Sequence, residues 1–279
     1  IISIEMLVDV SVFLENGFKW GKSKTYALQT QLPNINKNFV SYGVAMFDGS
    51  KIVGAILFFH QGTFVSNGTK VNAVNMSCWF VKEIYRGIST ISFARFMLQE
   101  LEDCVITNYS ANDAASKILC LLGFRYMKLE RFSNRLHSSL GGIFSGMARI
   151  KNLNTFDHDF GQEFDFMPSG ALHHYSISYK SSSLRMLVKS SYIKRKILGM
   201  DINMKAQIVI WTSDYGLLSK FWEKYTLALM FATKSLKVIA DIPDVPKPDV
   251  KYSSKNNYLI FGPEDIDVIE PINSEMNIF

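Results

Sequence analysis

The stretch from Asn72 to Phe124 restricts the possible folds of this chain more than any other part of its sequence. It reads in order as a strand, a basic turn, an amphipathic helix, a short strand and a second helix that ends in Gly-Phe. The apolar residues of the first helix, at 89–101, recur at helical spacing along one stripe. Because a strand-helix-strand crossover joins parallel neighbours, the strands at 72–81 and 104–110 are predicted to pair in parallel.

Residues 39–81 are predicted to form a three-stranded antiparallel meander. Two apolar runs flank Asp48-Gly49, and Asn67-Gly68 precedes the strand at 72. Such pairs between apolar runs are strong hairpin signals, since both residues tolerate the backbone of tight turns. Ser110 or Asn112 is expected to cap the helix that follows the short strand.

The composition indicates a globular protein. Of the 279 residues 48% are hydrophobic and 20% charged, so the chain has ample material for a core. The net charge of +5 suits an anionic ligand such as a nucleotide but is weak evidence for nucleic acid, and no DNA partner is expected. The dense basic block Lys194-Arg195-Lys196 is interpreted as a solvated face.

The cysteines and the apolar runs lead to expectations about compartment and metals. Cys78, Cys104 and Cys120 have no paired spacing, which favours a reducing compartment and hence a cytoplasmic protein. No CxxC or HExxH spacing occurs, so no metal is expected. The N-terminus does not read as a signal peptide, and no apolar run is long enough for a membrane span.

Two domains are expected, at 1–148 and 149–279. In the first, residues 1–16 are predicted to form a strand leading into a helix, and residues 17–38 helix ends with an exposed loop. Residues 151–172 read as loop and linker. Beyond them the strand-helix-strand order recurs, with strands at 175–179, 184–190, 206–211 and 236–242 and a helix at 215–233. The second half is therefore interpreted as a possible degenerate copy of the first.

The turn at Arg86–Ile91 has the properties of a pyrophosphate site. Successive backbone N–H groups at a helix N-terminus bind anions, and the helix dipole adds to the attraction. Arg86 contributes a positive charge, Gly87 permits close approach, and Ser89 and Thr90 can donate hydroxyls.

These parts resemble the GNAT superfamily of acyl-CoA N-acyltransferases. The family pattern is Arg/Gln-x-x-Gly-x-Gly/Ala, followed by Asn-x-x-Ala-x-x-Leu-Tyr and Gly-Phe. This sequence carries Arg86, Ser89 and Ile91, and then Asn112, Ala115, Ile118 and Gly123-Phe124. The resemblance implies a mixed α/β (α+β) fold, with a mostly antiparallel sheet and a central splayed parallel pair. It also implies acetyl-CoA or another acyl-CoA as co-substrate.

In the family, the backbone of the two splayed strands pairs with the pantetheine arm. The resemblance therefore implies cofactor contacts at the end of the first strand, at the turn, and at the strand and helix that follow. The residues are Trp79, Phe80, Val81, Arg86, Gly87, Ile88, Ser89, Thr90, Ile91, Asn108 and Asn112.

The sequence departs from the family at two catalytic positions. Leu119 stands where the family often has a Tyr that protonates the leaving thiolate, and the strand at 72–81 lacks the Glu that serves as base. The catalytic candidates are therefore Asn75 and Ser77 at polar positions of that strand, with His60 and Ser110 nearby. A His has a suitable pKa for a base, but a surface His at a strand end is the other interpretation.

The predicted function is acyl-CoA-dependent transfer of an acyl group to an amine. The two halves resemble tandem-fold members, including Fem-type enzymes and acyltransferases of cell-surface polysaccharide assembly, so a small molecule or nucleotide-linked amino sugar is the expected acceptor. Two alternatives stay open. One is a non-catalytic acyl-CoA-binding or scaffold protein, and the other is a Fem-like transferase that uses aminoacyl-tRNA.

Overall fold

The structure is a computed structural model that describes residues 1–37, 39, 41–127, 129–136, 146–153, 172–197, 200–243, 253–255, 258–263 and 265–266. The α-helices of the described residues are α1 Leu7–Phe18, α2 Lys22–Ile35, α3 Ile88–Glu100, α4 Asp113–Leu121, α5 Tyr215–Lys220 and α6 Trp222–Thr233, and a 3₁₀ helix spans Glu83–Tyr85. Their strands are β1 Gly43–Asp48, β2 Lys51–Ser66, β3 Thr69–Val81, β4 Cys104–Asn108, β5 Arg125–Tyr126, β6 Leu129–Arg135, β7 Arg149–Asn152, β8 Leu172–Tyr179, β9 Ser182–Ile197, β10 Met200–Thr212, β11 Lys237–Pro243, β12 Ser253–Lys255 and β13 Leu259–Phe261.

The chain forms two compact units, which differ in their bounds from the predicted domains. The first comprises Ile1–Met127 with Asn257–Phe279, and the second comprises Lys128–Asn256. The predicted boundary after residue 148 fails because β6 pairs with β11 in the second sheet. The C-terminal segment returns to the first unit because β13 pairs with both β4 and β5.

The sheet of the first unit has the strand order β1-β2-β3-β4-β13-β5. All pairs are antiparallel except β3 with β4, which are parallel, as the sequence predicted. The meander is confirmed, with close turns that bring Asp48 opposite Lys51 and Ser66 opposite Thr69. The parallel pair lies at the centre of the sheet, and α3 connects its two strands.

Helix α3 and one face of the sheet build the main core of the first unit. Phe93 and Met97 of α3 are buried in one cluster with Val74 and Met76 of β3 and Leu119 of α4. At about 25 cal/mol per Å² of buried apolar surface, such side chains supply most of the driving force for folding. Since Val74 and Met76 alternate with Asn75 and Ser77, the polar pair belongs to the other face of β3.

The predicted loop at 17–38 is wrong, because α2 occupies most of it. Thr25, Leu28, Leu32 and Ile35 are its buried residues, so a narrow stripe at helical spacing anchors a mostly polar helix. The predicted N-terminal strand is reduced to two hydrogen bonds. The amide of Ile2 donates to the carbonyl of Gly43 at 2.7 Å, and the amide of Tyr42 donates to the carbonyl of Ile2 at 3.1 Å.

The second unit repeats the topology of the first. Its sheet has the order β12-β6-β11-β10-β9-β8-β7. β8, β9 and β10 form an antiparallel meander, β10 and β11 are parallel, and β6 pairs antiparallel with β11. The helices α5 and α6 follow β10, as α3 follows β3, and Trp222 and Tyr225 lie in the core of this unit. The mixed α/β fold with a second, similar half is therefore confirmed.

Two further predictions concern segments between and within the units. Most of the predicted linker at 151–172 lies outside the described residues, although β7 and β8 border it. No helix among the described residues is long and apolar enough to cross a membrane.

Candidate functional site

The first unit contains a cavity of about 550 Å³ at the ends of β3, α3 and α4. A volume of this size lies in the ordinary range for small-molecule sites. Eight of the eleven predicted cofactor residues line it, namely Trp79, Phe80, Val81, Arg86, Gly87, Thr90, Ile91 and Asn112. Its other lining residues are Phe18, Ala114, Ala115 and Ile118.

The cavity opens where β3 and β4 stop pairing. Their parallel register runs from Asn72 opposite Cys104 to Asn75 opposite Thr107. β4 ends at Asn108, whereas β3 continues to Val81. In the described part of the chain, no strand therefore pairs with the last residues of β3 on the side away from β2. Such unpaired backbone can accept an extended ligand that carries amide groups.

A bulge in β3 shapes this same end of the strand. Ser77 lies opposite Leu57 and Phe80 opposite Ala55, so β3 has one residue more than β2 between these pairs. Cys78 takes up the extra length with a φ of +52°, which is uncommon for a residue with a side chain. Bulges bend a strand and re-aim its side chains, and Trp79 and Phe80 directly after it line the cavity.

The first turn of α3 forms the polar end of the cavity. The residue before the helix is Gly87, whose φ of +101° strongly favours glycine. The first amides of a helix have no intrahelical acceptor, and Gly87 has no side chain to cap them. Arg86 lies against this turn and donates from Nε to the carbonyl of Val81 at 3.0 Å. The amide of Thr90 already donates to the carbonyl of Gly87 at 3.1 Å, which leaves the amides of Ile88 and Ser89 as the first of the helix. A positive side chain, these amides and the helix dipole thus meet at one place.

Two polar atoms of lining residues have no hydrogen-bond partner among the described residues. They are the indole Nε1 of Trp79 and the hydroxyl of Thr90, and both are buried. A buried polar group without a partner is costly, and most such groups in native proteins are satisfied. A ligand with acceptor atoms would satisfy both, so these residues fit a polar arm such as pantetheine with its phosphates.

Helix α4 supplies the opposite wall. The side chain of Asn112 accepts a hydrogen bond from the amide of Ala115 at 2.9 Å, which confirms it as the predicted helix cap. Leu119 is fully buried in the core and does not line the cavity. The position where the family often has its Tyr therefore holds a packing residue. Cys120, the next residue of α4, is exposed.

Phe18 is a cavity residue that the sequence did not single out as one. It lies at the end of α1, and its ring centroid is 5.4 Å from that of Phe80. Gly17 permits the approach, because a Cβ there would come within 2.5 Å of the Phe80 ring. The two aromatic residues at 18 and 20 were the sequence feature that could have indicated it. The ring of Trp20 stacks on that of Phe18, with 5.0 Å between the ring centroids.

Three predicted cofactor residues lie outside the main cavity. Ile88 and Ser89 line a smaller cavity of about 390 Å³ on the side of β1. Asn108 is buried, and its side chain is engaged within the protein. It donates to the carbonyl of Met76 at 3.1 Å and accepts from the amide of Ser110 at 3.0 Å. Its side chain therefore bridges the splayed strands.

Asn75 and Ser77 lie in a buried polar region of the first unit. The hydroxyl of Thr107 donates to Gln61 Oε1 at 2.7 Å and lies 3.4 Å from Asn75 Oδ1. Gln61 Nε2 donates to the hydroxyl of Tyr109 at 3.2 Å. The sequence did not identify Gln61, which reaches β4 because a second bulge separates it from the regular pairing of β2 with β3.

His60 and Ser110, the other catalytic candidates, do not line the cavity. β2 continues to Ser66, so His60 is a mid-strand residue, and its half-buried ring stacks on Phe39 at 5.4 Å. Burial lowers the pKa of His60, while a hydrogen bond with Asn72 raises it. The neutral imidazole is therefore favoured. Ser110 is exposed directly after β4.

The described residues of the second unit contain no equivalent of the α3 turn. At the corresponding place Asp214 caps α5, and its side chain accepts a hydrogen bond from the amide of Leu217 at 2.8 Å. The carboxylate takes up an amide that a phosphate would otherwise bind, and its negative charge repels phosphate. Within the described residues, no group of three His, Cys, Asp or Glu side chains could hold a metal ion.

Comparison with known proteins gives structural but no sequence matches. No family model and no curated protein matches the sequence. A GCN5-related N-acetyltransferase from Kribbella flavida matches with a TM-score of 0.59 and 13% identity, over 93% of this chain and 69% of that one. One from Anabaena variabilis ATCC 29413 gives 0.57 and 11%, over 92% and 70%. A conserved Enterococcus faecalis V583 protein of unknown function, described as a probable N-acyltransferase, gives 0.54 and 7%, over 93% and 70%. The chain therefore has the fold of the GCN5-related N-acetyltransferases.

Proposed function

We propose that the protein is an acyl-CoA-dependent N-acyltransferase whose donor site is the cavity of the first unit. The observation that carries this proposal is that two residues lining the cavity, Trp79 and Thr90, have a buried polar side-chain atom without a partner among the described residues. Arg86 and Gly87 belong to the same lining. The shared fold supports the same class of reaction. Acetyl-CoA is the donor that the resemblance favours.

In this proposal the ligand follows the polar groups of the cavity. The pyrophosphate binds at the first amides of α3, where Arg86 and the helix dipole supply positive potential. The pantetheine amides pair with the open backbone edge at Trp79–Val81, and the indole N–H of Trp79 donates to one of their carbonyls.

The reaction would be a direct attack on the thioester. The nitrogen of a neutral amine attacks the carbonyl carbon, a C–N bond forms and the C–S bond breaks. The electron pair leaves on sulfur, and the proton released by the amine ends on the thiolate or on solvent. Because Leu119 is buried and carries no acid, we assign the chain the role of orienting donor and amine. Amides near the β3 bulge would stabilise the developing oxyanion.

The proposal is tested by calorimetric titration with acetyl-CoA and CoA, followed by an acceptor screen. Release of free CoA would be recorded with a thiol reagent across small amines and nucleotide-linked amino sugars. An amino sugar of surface-polysaccharide synthesis is the acceptor that the resemblance implies. Binding with amine-dependent release of CoA supports the proposal, and the lack of donor binding contradicts it.

A second candidate function is acyl-CoA binding without transfer. The buried Leu119 favours it, as does the absence of a carboxylate between Asn72 and Val81. It predicts the same donor affinity but no acceptor-dependent release of CoA. A tRNA-dependent Fem-like transferase would instead bind RNA in a salt-sensitive manner and show no affinity for CoA.

The state of the cysteines is relevant to the compartment in which the protein acts. None of the three cysteines, Cys78, Cys104 and Cys120, forms a disulfide bond. Cysteines that are not joined in disulfides are typical of reducing compartments, which supports the proposal that the protein acts in the cytoplasm.

A further inference from the structure

The smaller cavity of the first unit lies between β1 and one face of helix α3. Its volume of about 390 Å³ is within the range of small-molecule sites. Ile88, Ser92 and Phe96 line it and follow each other at intervals of one helical turn, so they share a face of α3. Thr90 and Ile91, which line the main cavity, lie on the opposite face. The helix therefore separates two cavities of the first unit.

The two cavities meet at the first turn of α3. Gly87 and Thr90 line the main cavity, and Ile88 and Ser89 between them line the smaller one. The amides of Ile88 and Ser89 are also the ones that the proposed function assigns to the pyrophosphate. In an acyl-CoA the pantetheine leaves the pyrophosphate on one side and the adenine nucleoside on the other. A pyrophosphate at this turn therefore has one cavity for each half of the ligand.

The lining of the smaller cavity suits a flat ring with polar edges. Ser89 and Ser92 supply hydroxyls that can donate or accept hydrogen bonds. The side chain of Phe96 is 40% exposed and that of Ile88 84%, so both offer apolar surface to a ligand. None of the described lining residues is charged, which favours a neutral base over a phosphate. The apolar lining residues are Ala45, Met46, Ile88, Phe93 and Phe96.

Contacts within the protein hold the segment before α3 against the strands of the sheet. The hydroxyl of Tyr85 in the 3₁₀ helix donates a hydrogen bond to the carboxylate of Asp48, the last residue of β1. This hydrogen bond raises the pKa of Tyr85, so the phenol stays protonated and remains a donor at neutral pH. The amide of Lys82 donates to the carbonyl of Val53 at 2.9 Å. The space between β1 and α3 is therefore formed before a ligand enters it.

The outer edge of β1 is poorly suited to the addition of another strand. β1 is an edge strand of its sheet, and within the described residues no strand pairs with its outer side. Its register shifts between Met46 and Phe47, and at its other end the carbonyl of Gly43 accepts from the amide of Ile2 at 2.7 Å. Irregular edges resist pairing with a further chain. A small ligand is therefore a better occupant of the smaller cavity than a second copy that pairs through β1.

We propose that the smaller cavity binds the adenine nucleoside of the acyl-CoA donor, with the base against Phe96. This inference rests on the proposed function, because it extends the donor site across the first turn of α3. Bases stack favourably on aromatic side chains, and Phe96 is the exposed aromatic residue of the lining. The hydroxyls of Ser89 and Ser92 are available to the ribose and to the edge of the base.

The test compares a complete donor with one that lacks the nucleoside. Calorimetry would measure the affinity of the whole protein for acetyl-CoA and for acetyl-phosphopantetheine. Phe96→Ala should weaken binding of acetyl-CoA about 5- to 100-fold, the effect of one base stacked on an aromatic ring, and should leave binding of acetyl-phosphopantetheine unchanged. Phe47→Ala is the matched control, because Phe47 is 46% exposed on β1 and does not line the cavity.

A second variant fills the smaller cavity. Ser92→Trp should weaken binding of acetyl-CoA and leave binding of acetyl-phosphopantetheine unchanged. Ser181→Trp makes the same substitution in the turn between β8 and β9 of the second unit and should bind both donors like the wild type. Because Ser92 and Ser181 are exposed, circular dichroism spectra should not change.

An azido-adenine analogue of CoA locates the nucleoside directly. On irradiation it should label β1 or α3, as read by mass spectrometry, and labelling of α4 instead would overturn the inference. Equal affinity of the Phe96 and Phe47 variants for acetyl-CoA would also overturn it, as would an equal loss for both donors in the Phe96 variant. A dimer in light scattering that dissociates on Ser92→Trp would assign the cavity to a second copy. A wild type that binds neither donor would contradict the donor site itself.

Discussion

The side-chain amide of Asn108 donates a hydrogen bond to the carbonyl of Met76 at 3.1 Å, at the point where β3 and β4 separate. The same side chain accepts from the amide of Ser110 at 3.0 Å. A buried side chain thus replaces the ladder bond that the shorter strand cannot make. The hydrogen bonds of Asn108 therefore fix the point at which β3 and β4 separate, and the cavity begins at that point.

Replacing Asn108 by Ala should destabilise the first unit and distort the donor site. The change removes one buried and one partly buried hydrogen bond, at a cost of about 1–3 kcal/mol in the free energy of unfolding. Urea denaturation measures this change. Asn34→Ala is the control, because Asn34 is exposed on α2 and bonds only locally. Equal, small effects of both changes would show that Asn108 does not hold the splayed strands.

Arg86→Ala should weaken binding of CoA about 10- to 100-fold, as expected for loss of a charged hydrogen bond to phosphate. The side chain is fixed against Val81 beside the first turn of α3. Calorimetry measures the affinity. Arg95→Ala removes an exposed charge from the same helix and serves as the control. Unchanged affinity of the Arg86 variant would place the pyrophosphate elsewhere.

Gly87→Ala tests the conformation of the turn. Open space surrounds the position of an added Cβ, so the cost is due to the backbone at φ +101° and amounts to about 1–3 kcal/mol. The turn relieves this strain by moving, and CoA affinity should fall. Gly21→Ala is the control: its backbone at the N-cap of α2 is ordinary and extended, so CoA affinity should not change, although Ala is a poorer cap than Gly. Unchanged CoA affinity in the Gly87 variant would contradict this role of Gly87.

His60 should make stability depend on pH. Burial lowers its pKa below the ordinary value of 6.5, against the effect of its hydrogen bond with Asn72. The unfolded chain therefore binds this proton at a higher pH than the folded protein. Stability is fully present above pH 6.5 and is lost as the pH falls through the folded pKa. His60→Gln should flatten the dependence of the urea midpoint on pH, and identical slopes in both proteins would refute the assignment.

The thiols should differ in reactivity. Burial and the charge of Asp103 raise the pKa of Cys104 to about 11, so almost none of it is thiolate near neutral pH. Cys120 is exposed on α4. Mass spectrometry after brief treatment with iodoacetamide should show Cys120 modified and Cys104 intact. Modification of Cys104 in the folded protein would mean that β4 opens more readily than its burial indicates.

Much of the first unit could be predicted because its signals are local. The turns at Asp48-Gly49 and Asn67-Gly68, the stripe of α3 and the cap at Asn112 each depend on residues close in sequence. The same holds for the cavity, because most of its lining comes from one continuous strand-turn-helix segment.

Other features arise from contacts distant in sequence. The place of β13 between β4 and β5 depends on Arg125, which donates to the carbonyls of Gly262, Pro263 and Ile266. No pattern in the sequence near Arg125 predicts these partners, because they lie far away along the chain. Gln61 reaches Thr107 only because of a bulge that depends on the pairing of β2 with β3. Helix α2 was not predicted because only four of its residues are buried, so its apolar stripe is too narrow to stand out in a mostly polar sequence.

The central claim is that the cavity of the first unit binds acyl-CoA, and calorimetric titration of acetyl-CoA into the wild type and Trp79→Phe tests it most directly. This variant keeps the aromatic ring but removes the unsatisfied indole N–H. We expect micromolar binding by the wild type and about 3- to 10-fold weaker binding by the variant, the effect of one hydrogen bond. A lack of binding by the wild type, or equal affinity in both proteins, would contradict the claim.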